Sequence, residues 1–245
     1  MKKIALRIDD IGASTKKFEV YSKLRLGNFL FLKYLKPFKA WGPYNELGPD
    51  EWKKIIEITK NNSVKLTVAI TSGWVERSGK IIPFNEKYPN QAEILKDAFE
   101  KGIIDIANHG YTHCVVGKHL PRLFSSNRRF HREFHDWLPY SAHELNIKES
   151  QKIFKKWLGV SPTLLVPPGN VFSEKTIKAG LKNGITNINC MNINNISDPD
   201  MKIIDNEKID AFHDKEIREF GIEWYEKKIY KLRNFSFEFV KDLFD

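Results

Sequence analysis

Cysteine is scarce: Cys114 and Cys190 are the only two in 245 residues. That excludes a disulfide-stapled scaffold and suits a reducing, cytoplasmic setting. Long apolar runs are missing too, since no uninterrupted segment approaches the ~18 residues that span a bilayer. The start "MKKIALRIDD" has the basic opening of a signal peptide, but Arg7 and two aspartates break its apolar run before it reaches h-region length. An unexported chain is therefore expected. No stretch is rich enough in Pro, Gly or Ser to serve as a linker, and neither a repeat nor a low-complexity run is present. Residues 1–245 are expected to form one domain.

What is present describes a basic globular protein. Hydrophobic residues make up 41% and aromatics 13%, and 40 Lys and Arg against 31 Asp and Glu leave a net charge of +9. Such a balance favours anionic partners, among them nucleic acid, phosphorylated metabolites or an anionic membrane face. The densest basic stretch, "SSNRRFHREFH" (125–135), interleaves aromatics with Arg. It reads as a solvated loop or helix face, or alternatively as a phosphate or nucleic-acid patch.

Strand-like and helix-like segments alternate along the chain, the signature of an α/β fold. Strands are expected at 3–8, 64–71, 103–108, 162–167, 185–190 and 208–213. Helices are expected at 49–61, where Pro49 suits a first turn, at 90–102, at 147–159, at 173–184 behind a Ser N-cap, and as one final long helix over 216–232. The polar residues decide between a doubly wound sheet and a barrel. Asp9 and Asp10 follow the first strand, His109 the third, Pro167 and Pro168 the fourth, and His213 the last. In a (β/α) barrel those strand ends share one mouth, where catalytic groups collect.

The segment "NHGYTH" (108–113) spaces His109 and His113 so that two imidazoles can reach one cation. No Glu lies between them, so a third ligand and a general base must come from elsewhere, and the Asp9–Asp10 pair offers one of each. Neighbouring residues of a strand point to opposite faces, so a turn at Gly12 is expected to bring Asp10 round to the ion. Each signal has a plainer reading: a turn or helix cap for the two aspartates, and a rigid turn for "VPPGN" (166–170). A second pair at the same spacing, His131 and His135, follows no strand and reads as a decoy, while His119 and His143 read as ordinary surface or loop histidines.

Taken in order, these segments resemble the polysaccharide deacetylases with a NodB homology domain, carbohydrate esterase family 4. "RIDDIG" is similar to the family's T-F-D-D-G, "HGYTH" to its H-S/T-x-x-H, "VPPGN" to its R-P-P-Y-G loop, and "AFH" to its late L-x-H. Within the family the general look is closest to the O-antigen-locus deacetylases of the WbmS type. The resemblance implies a distorted (β/α)7 barrel forming a single catalytic domain. It makes Asp9 the general base, His213 the general acid, and Asp10, His109 and His113 the ligands of a divalent transition metal, zinc before cobalt or iron. It also places Pro167, Pro168, Gly169 and Asn170 against the substrate.

Two departures stand out: Val166 occupies the place of the third motif's Arg, and Gly110 that of the second motif's Ser or Thr. Nothing matches the family's aspartate-tryptophan motif. Arg7, two residues before Asp9 and on the same face of the strand, is expected to take over the missing arginine's role. Gly110 implies that a side-chain hydrogen bond within the metal loop is absent. The expected reaction is hydrolysis of an acetamido sugar in a surface glycan or its lipid- or nucleotide-linked precursor. Arg122, Arg128, Arg129 and Arg132 are expected to draw a diphosphate group or an anionic membrane face towards the mouth, and no nucleic acid is expected. Rival readings are a sugar-binding pseudoenzyme on the same barrel and a basic α/β protein that binds phosphate or nucleic acid.

Overall fold

Strand β1 (Lys2–Ile11) is bordered by strands on both edges, and its residues from Ala5 onward are buried. In a computed structural model of the chain, residues 2–18, 20–21, 39–40, 45–117, 131–191 and 195–243 are described. The other strands of its sheet are β2 (Leu66–Ile70), β3 (Ile104–Asn108), β4 (Leu164–Leu165), β5 (Asn187–Asn189), β6 (Lys202–Ile204), β7 (Ile209–His213) and β8 (Phe235–Glu238). Their order is β6-β5-β4-β3-β2-β1-β7, with β8 on the first half of β1, and every pairing is parallel. Helices α1 (Pro49–Asn61), α2 (Pro89–Glu100), α3 (Tyr140–Leu158), α4 (Glu174–Lys182), α5 (Asp214–Phe220) and α6 (Ile222–Lys231) accompany it. This is the curled parallel sheet of a distorted (β/α)7 barrel, as expected.

Alternation along β1 sorts its side chains between two environments. Leu6 and Ile8 turn outward into the large core with Trp52 of α1, Leu95 of α2 and Tyr225 of α6. Ala5 turns inward and clusters with Ala69 of β2, Ala107 of β3 and the C-terminal Val240 and Leu243. These small side chains, with Ala69 and Ala107 directly paired across β2 and β3, leave the chain end room to close the bottom of the barrel. There Val240 N donates to Thr67 Oγ1 at 3.1 Å and Lys241 pairs with Asp105 at 2.7 Å. Arg7 and Asp9 share Ala5's face and so stand inside the barrel above this plug.

Helix α1 has the expected bounds: Pro49 opens it, and Glu51 Oε2 accepts the Gly48 N–H at 2.6 Å. Three expectations need correction. Helix α3 starts at Tyr140 rather than at 147. His143, expected at the surface, is fully buried in its first turns, with Nδ1 3.0 Å from Thr176 Oγ1 of α4. The long helix expected over 216–232 is two helices, because Gly221 adopts φ 78°, ψ 174°, a conformation open essentially to glycine alone. Strands β6 and β8, of three and four residues, were not expected from the sequence. Among the described residues no helix is long and apolar enough to cross a membrane.

Candidate active site

Parallel register brings the C-terminal strand ends to one rim. Asp9 of β1 lies beside His213 of β7, and Ile70 of β2 beside Asn108 of β3, with His109 next in the chain. At this rim the pairing of β1 with β2 slips between Ile8 and Ile11, and Asp10 adopts φ 71°. The turn expected at Gly12 therefore begins at Asp10 itself. An aspartate tolerates the left-handed region better than most residues, and the irregularity lets adjacent carboxylates serve the same mouth.

Asp10 Oδ1 lies 3.1 Å from Nε2 of His109 and 3.1 Å from Nε2 of His113, and all three residues are buried. The tautomer of His109 shows what this arrangement calls for. Its Nδ1 is 2.7 Å from the Val166 carbonyl, which can only accept, so Nδ1 carries the proton. Burial outweighs the pull of Asp10 and holds this imidazole below its usual range, which favours the form whose Nε2 lone pair faces the carboxylate oxygen. Two acceptors so placed repel unless a cation lies between them. One oxygen and two imidazole nitrogens also form a donor set suited to a divalent transition metal, so the residues present fit the ion. Arg132 Nη1 also borders this spot, 3.1 Å from His113 Nε2 and 3.0 Å from its Nδ1.

The second oxygen of Asp10 has a different neighbour, Lys16 Nζ at 2.8 Å. Lys16 is buried, 3.1 Å from Asp214, which in turn pairs with Arg218 at 3.0 Å. Burial pulls the ammonium's pKa down, but Asp10 and Asp214 outweigh it and raise it above its ordinary range. Burial likewise pushes Asp10 up, yet Lys16 and the two imidazoles outweigh it and hold the carboxyl well below its usual range.

Asp9 is gripped from its own strand. Arg7 Nε and Nη2 each donate to a separate Asp9 oxygen at 2.7 Å, a bidentate pair, and Nη1 bonds Asn189 Oδ1. Asn189 is fixed in turn by the Ile204 carbonyl at 2.8 Å and Asn206 at 3.0 Å. His213 Nε2 stands 3.6 Å from Asp10 Oδ2, and its Nδ1 is 3.8 Å from Glu216 Oε1. Burial lowers its pKa, but the Asp10, Glu216 and Asp9 carboxylates prevail and hold it at about 8.

Pro168–Asn170 form a tight turn after β4, with Pro167 and Pro168 buried and Gly169 and Asn170 partly exposed. In the basic stretch 125–135, the described residues depart most from expectation. Residues 131–134 are buried rather than solvated, and Arg132 passes beneath Gly169, where a Cβ would fall 2.7 Å from its Nε. Residues 118–130, with His119, Arg122, Arg128 and Arg129, lie outside the described residues. Among the described residues, His131 and His135 join no metal-ligand cluster. Lys16, Glu133, Asn189 and Glu216 were not expected at the site: Asn189 ends β5 and Glu216 caps the helix after His213, but neither belongs to a recognisable motif, and Lys16 and Glu133 are brought in by the fold.

A family profile described as polysaccharide deacetylase matches residues 41–188. No match was found among curated proteins. In fold the chain is similar to a family 4 carbohydrate esterase from Bacillus anthracis, at TM-score 0.52 and 17% identity over 99% of this chain and 82% of that one. It is also similar to a family 4 acetyl xylan esterase from Clostridium thermocellum solved with a cobalt ion, at TM-score 0.50 and 15% identity over 99% and 90%. Against a CE4 family pseudoenzyme from Bacillus anthracis the TM-score is 0.49 and the identity 12%, over 81% of this chain and 62% of that protein's length.

Proposed function

Because the chain belongs to the polysaccharide deacetylase family, we propose that it is a metal-dependent carbohydrate deacetylase centred on Asp10, His109 and His113. One observation carries this reading: a buried carboxylate and two imidazoles point ligand atoms at one spot, flanked by Asp9 and His213 on adjacent strands. A divalent ion held by these three residues would supply Lewis-acid polarisation of an acyl oxygen and a more acidic water. Asp9, oriented by Arg7, takes the proton of the attacking water. His213, on the other side, delivers a proton to the departing amine. Lys16 holds the outer oxygen of Asp10, leaving the inner one to face the histidines. Pro167, Pro168, Gly169 and Asn170 form a wall of the substrate site.

The bond cleaved is the acetamide of a sugar in a surface glycan or its precursor, as for the O-antigen-locus deacetylases of the WbmS type. Zinc is the metal favoured by the donor set, with cobalt and iron as substitutes. The substrate is made inside the cell on a lipid or nucleotide carrier, a setting supported by two buried free cysteines and the charge of +9. Against a nucleic-acid interface speaks the burial of residues 131–134, which takes part of the basic stretch off the surface.

The test joins elemental analysis with acetate release. About one divalent ion per chain and acetate release abolished by a chelator are expected, with activity restored by zinc or cobalt. Wild-type metal content in His109→Ala would overturn the ligand assignment.

A further inference from the structure

The loop that carries the two histidines is built in an unusual way. Gly110 (φ 86°) and His113 (φ 67°) both adopt left-handed conformations, and the backbone N–H groups of Tyr111, Thr112 and His113 turn to one side. Three convergent N–H groups form a nest for an anion. The Glu133 carboxylate fills it: Oε2 accepts from Tyr111 at 3.2 Å and from Thr112 at 3.1 Å, and Oε1 from His113 at 3.0 Å. Glu133 is fully buried.

Gly110 explains how the carboxylate reaches this place. A Cβ built at Gly110 would fall on top of Glu133 Oε1, so the acid occupies the volume that any side chain at 110 would need. The hydrogen bond that a glycine here cannot make is replaced by three to a residue more than twenty positions later. Asn108 Oδ1 accepts the Gly110 N–H at 2.8 Å and closes the other end of the loop.

We propose that Glu133 is the positioning residue of the metal loop, fixing His109 and His113 in ligating geometry before an ion arrives, with Gly110 as its obligate counterpart. The inference rests on the metal-site reading above. Without the carboxylate, the three N–H groups lose their acceptor. The left-handed turn at His113, which aims its imidazole at Asp10, then loses its support.

The test uses the full-length chain and two probes, zinc affinity by chelator competition and the visible spectrum of the cobalt(II) form. Glu133→Gln keeps the size but sets an NH2 against N–H donors, and it should weaken zinc by roughly 10–100-fold, as loss of an outer partner of a ligand does, and shift the cobalt bands. A purely structural residue would change stability and leave both unmoved. Wild-type affinity and spectrum in the variant would overturn the proposal while sparing the metal site. Absence of zinc binding in the wild type would overturn the metal site and the proposal with it. A second measurement needs no variant: in chelator-treated wild type, amide exchange at Tyr111, Thr112 and His113 should be as slow as in β3. Fast exchange there would also overturn it.

Discussion

Asp9 and Asp10 are neighbours with different surroundings, and those surroundings set what each substitution should do. Asp9 is bound on both oxygens by Arg7, whereas Asp10 lies between Lys16 and two histidines. Asp9→Asn is therefore expected to keep the metal and lose activity by about 10²–10⁴-fold, the usual worth of a general base. Asp10→Asn should lose metal as well, and equal metal loss in both variants would refute the division of roles. Arg7→Met removes the bidentate grip without touching a ligand. Activity should fall by roughly 10–100-fold at unchanged metal content, and an unchanged rate would show that Arg7 does not position the base. This residue was legible in the sequence because alternation put it on Asp9's face. Its further bond to Asn189 was not, since 182 residues separate the pair.

Helix α3 shows how burial within one element becomes a dependence on pH. His143 packs between Phe134 and α4, and burial pushes its pKa down to about 4. The unfolded chain binds this proton near pH 6.5 and the native state only near 4, so the unfolded state binds more protons between them. Stability is then level above pH 6.5 and falls as pH drops from 6.5 towards 4, by up to about 1 kcal/mol per pH unit. Urea midpoints at pH 7 and pH 5 test this: the drop should be clear in the wild type and smaller in His143→Gln. An equal drop in both would assign it to other groups. Periodicity placed α3 but missed its first turns, because a histidine facing the core breaks the apolar pattern that marks the helix.

For the molecule as a whole, the net charge of +9 bears on the choice of substrate. If the substrate is a carrier-linked glycan, a chain of net charge +9 should process it faster than free chitooligosaccharide, with an advantage that shrinks as salt rises. The measurement is acetate release on a carrier-linked saccharide, its free glycan and chitooligosaccharide at low and raised salt. Faster turnover of chitooligosaccharide without salt dependence would point to a general sugar deacetylase. Closure of the barrel bottom belongs to the same level: β8 and the plug of Val240 and Leu243 join the chain's end to its first strand.

Local chemistry determined a good deal: the alternation of strands and helices, the bounds of α1, and the strand-end positions of Asp9, Asp10, His109 and His213. Those features repeat at short range, where side-chain period and turn preference are written directly in neighbouring residues. Tertiary structure alone decided the left-handed twist at Asp10, the burial of Lys16 between Asp10 and Asp214, and the pairing of Glu133 with the amides beside Gly110. These depend on which surfaces the barrel presses together. A lysine or glutamate in a charged stretch has no local mark of burial until the fold sets its partner beside it.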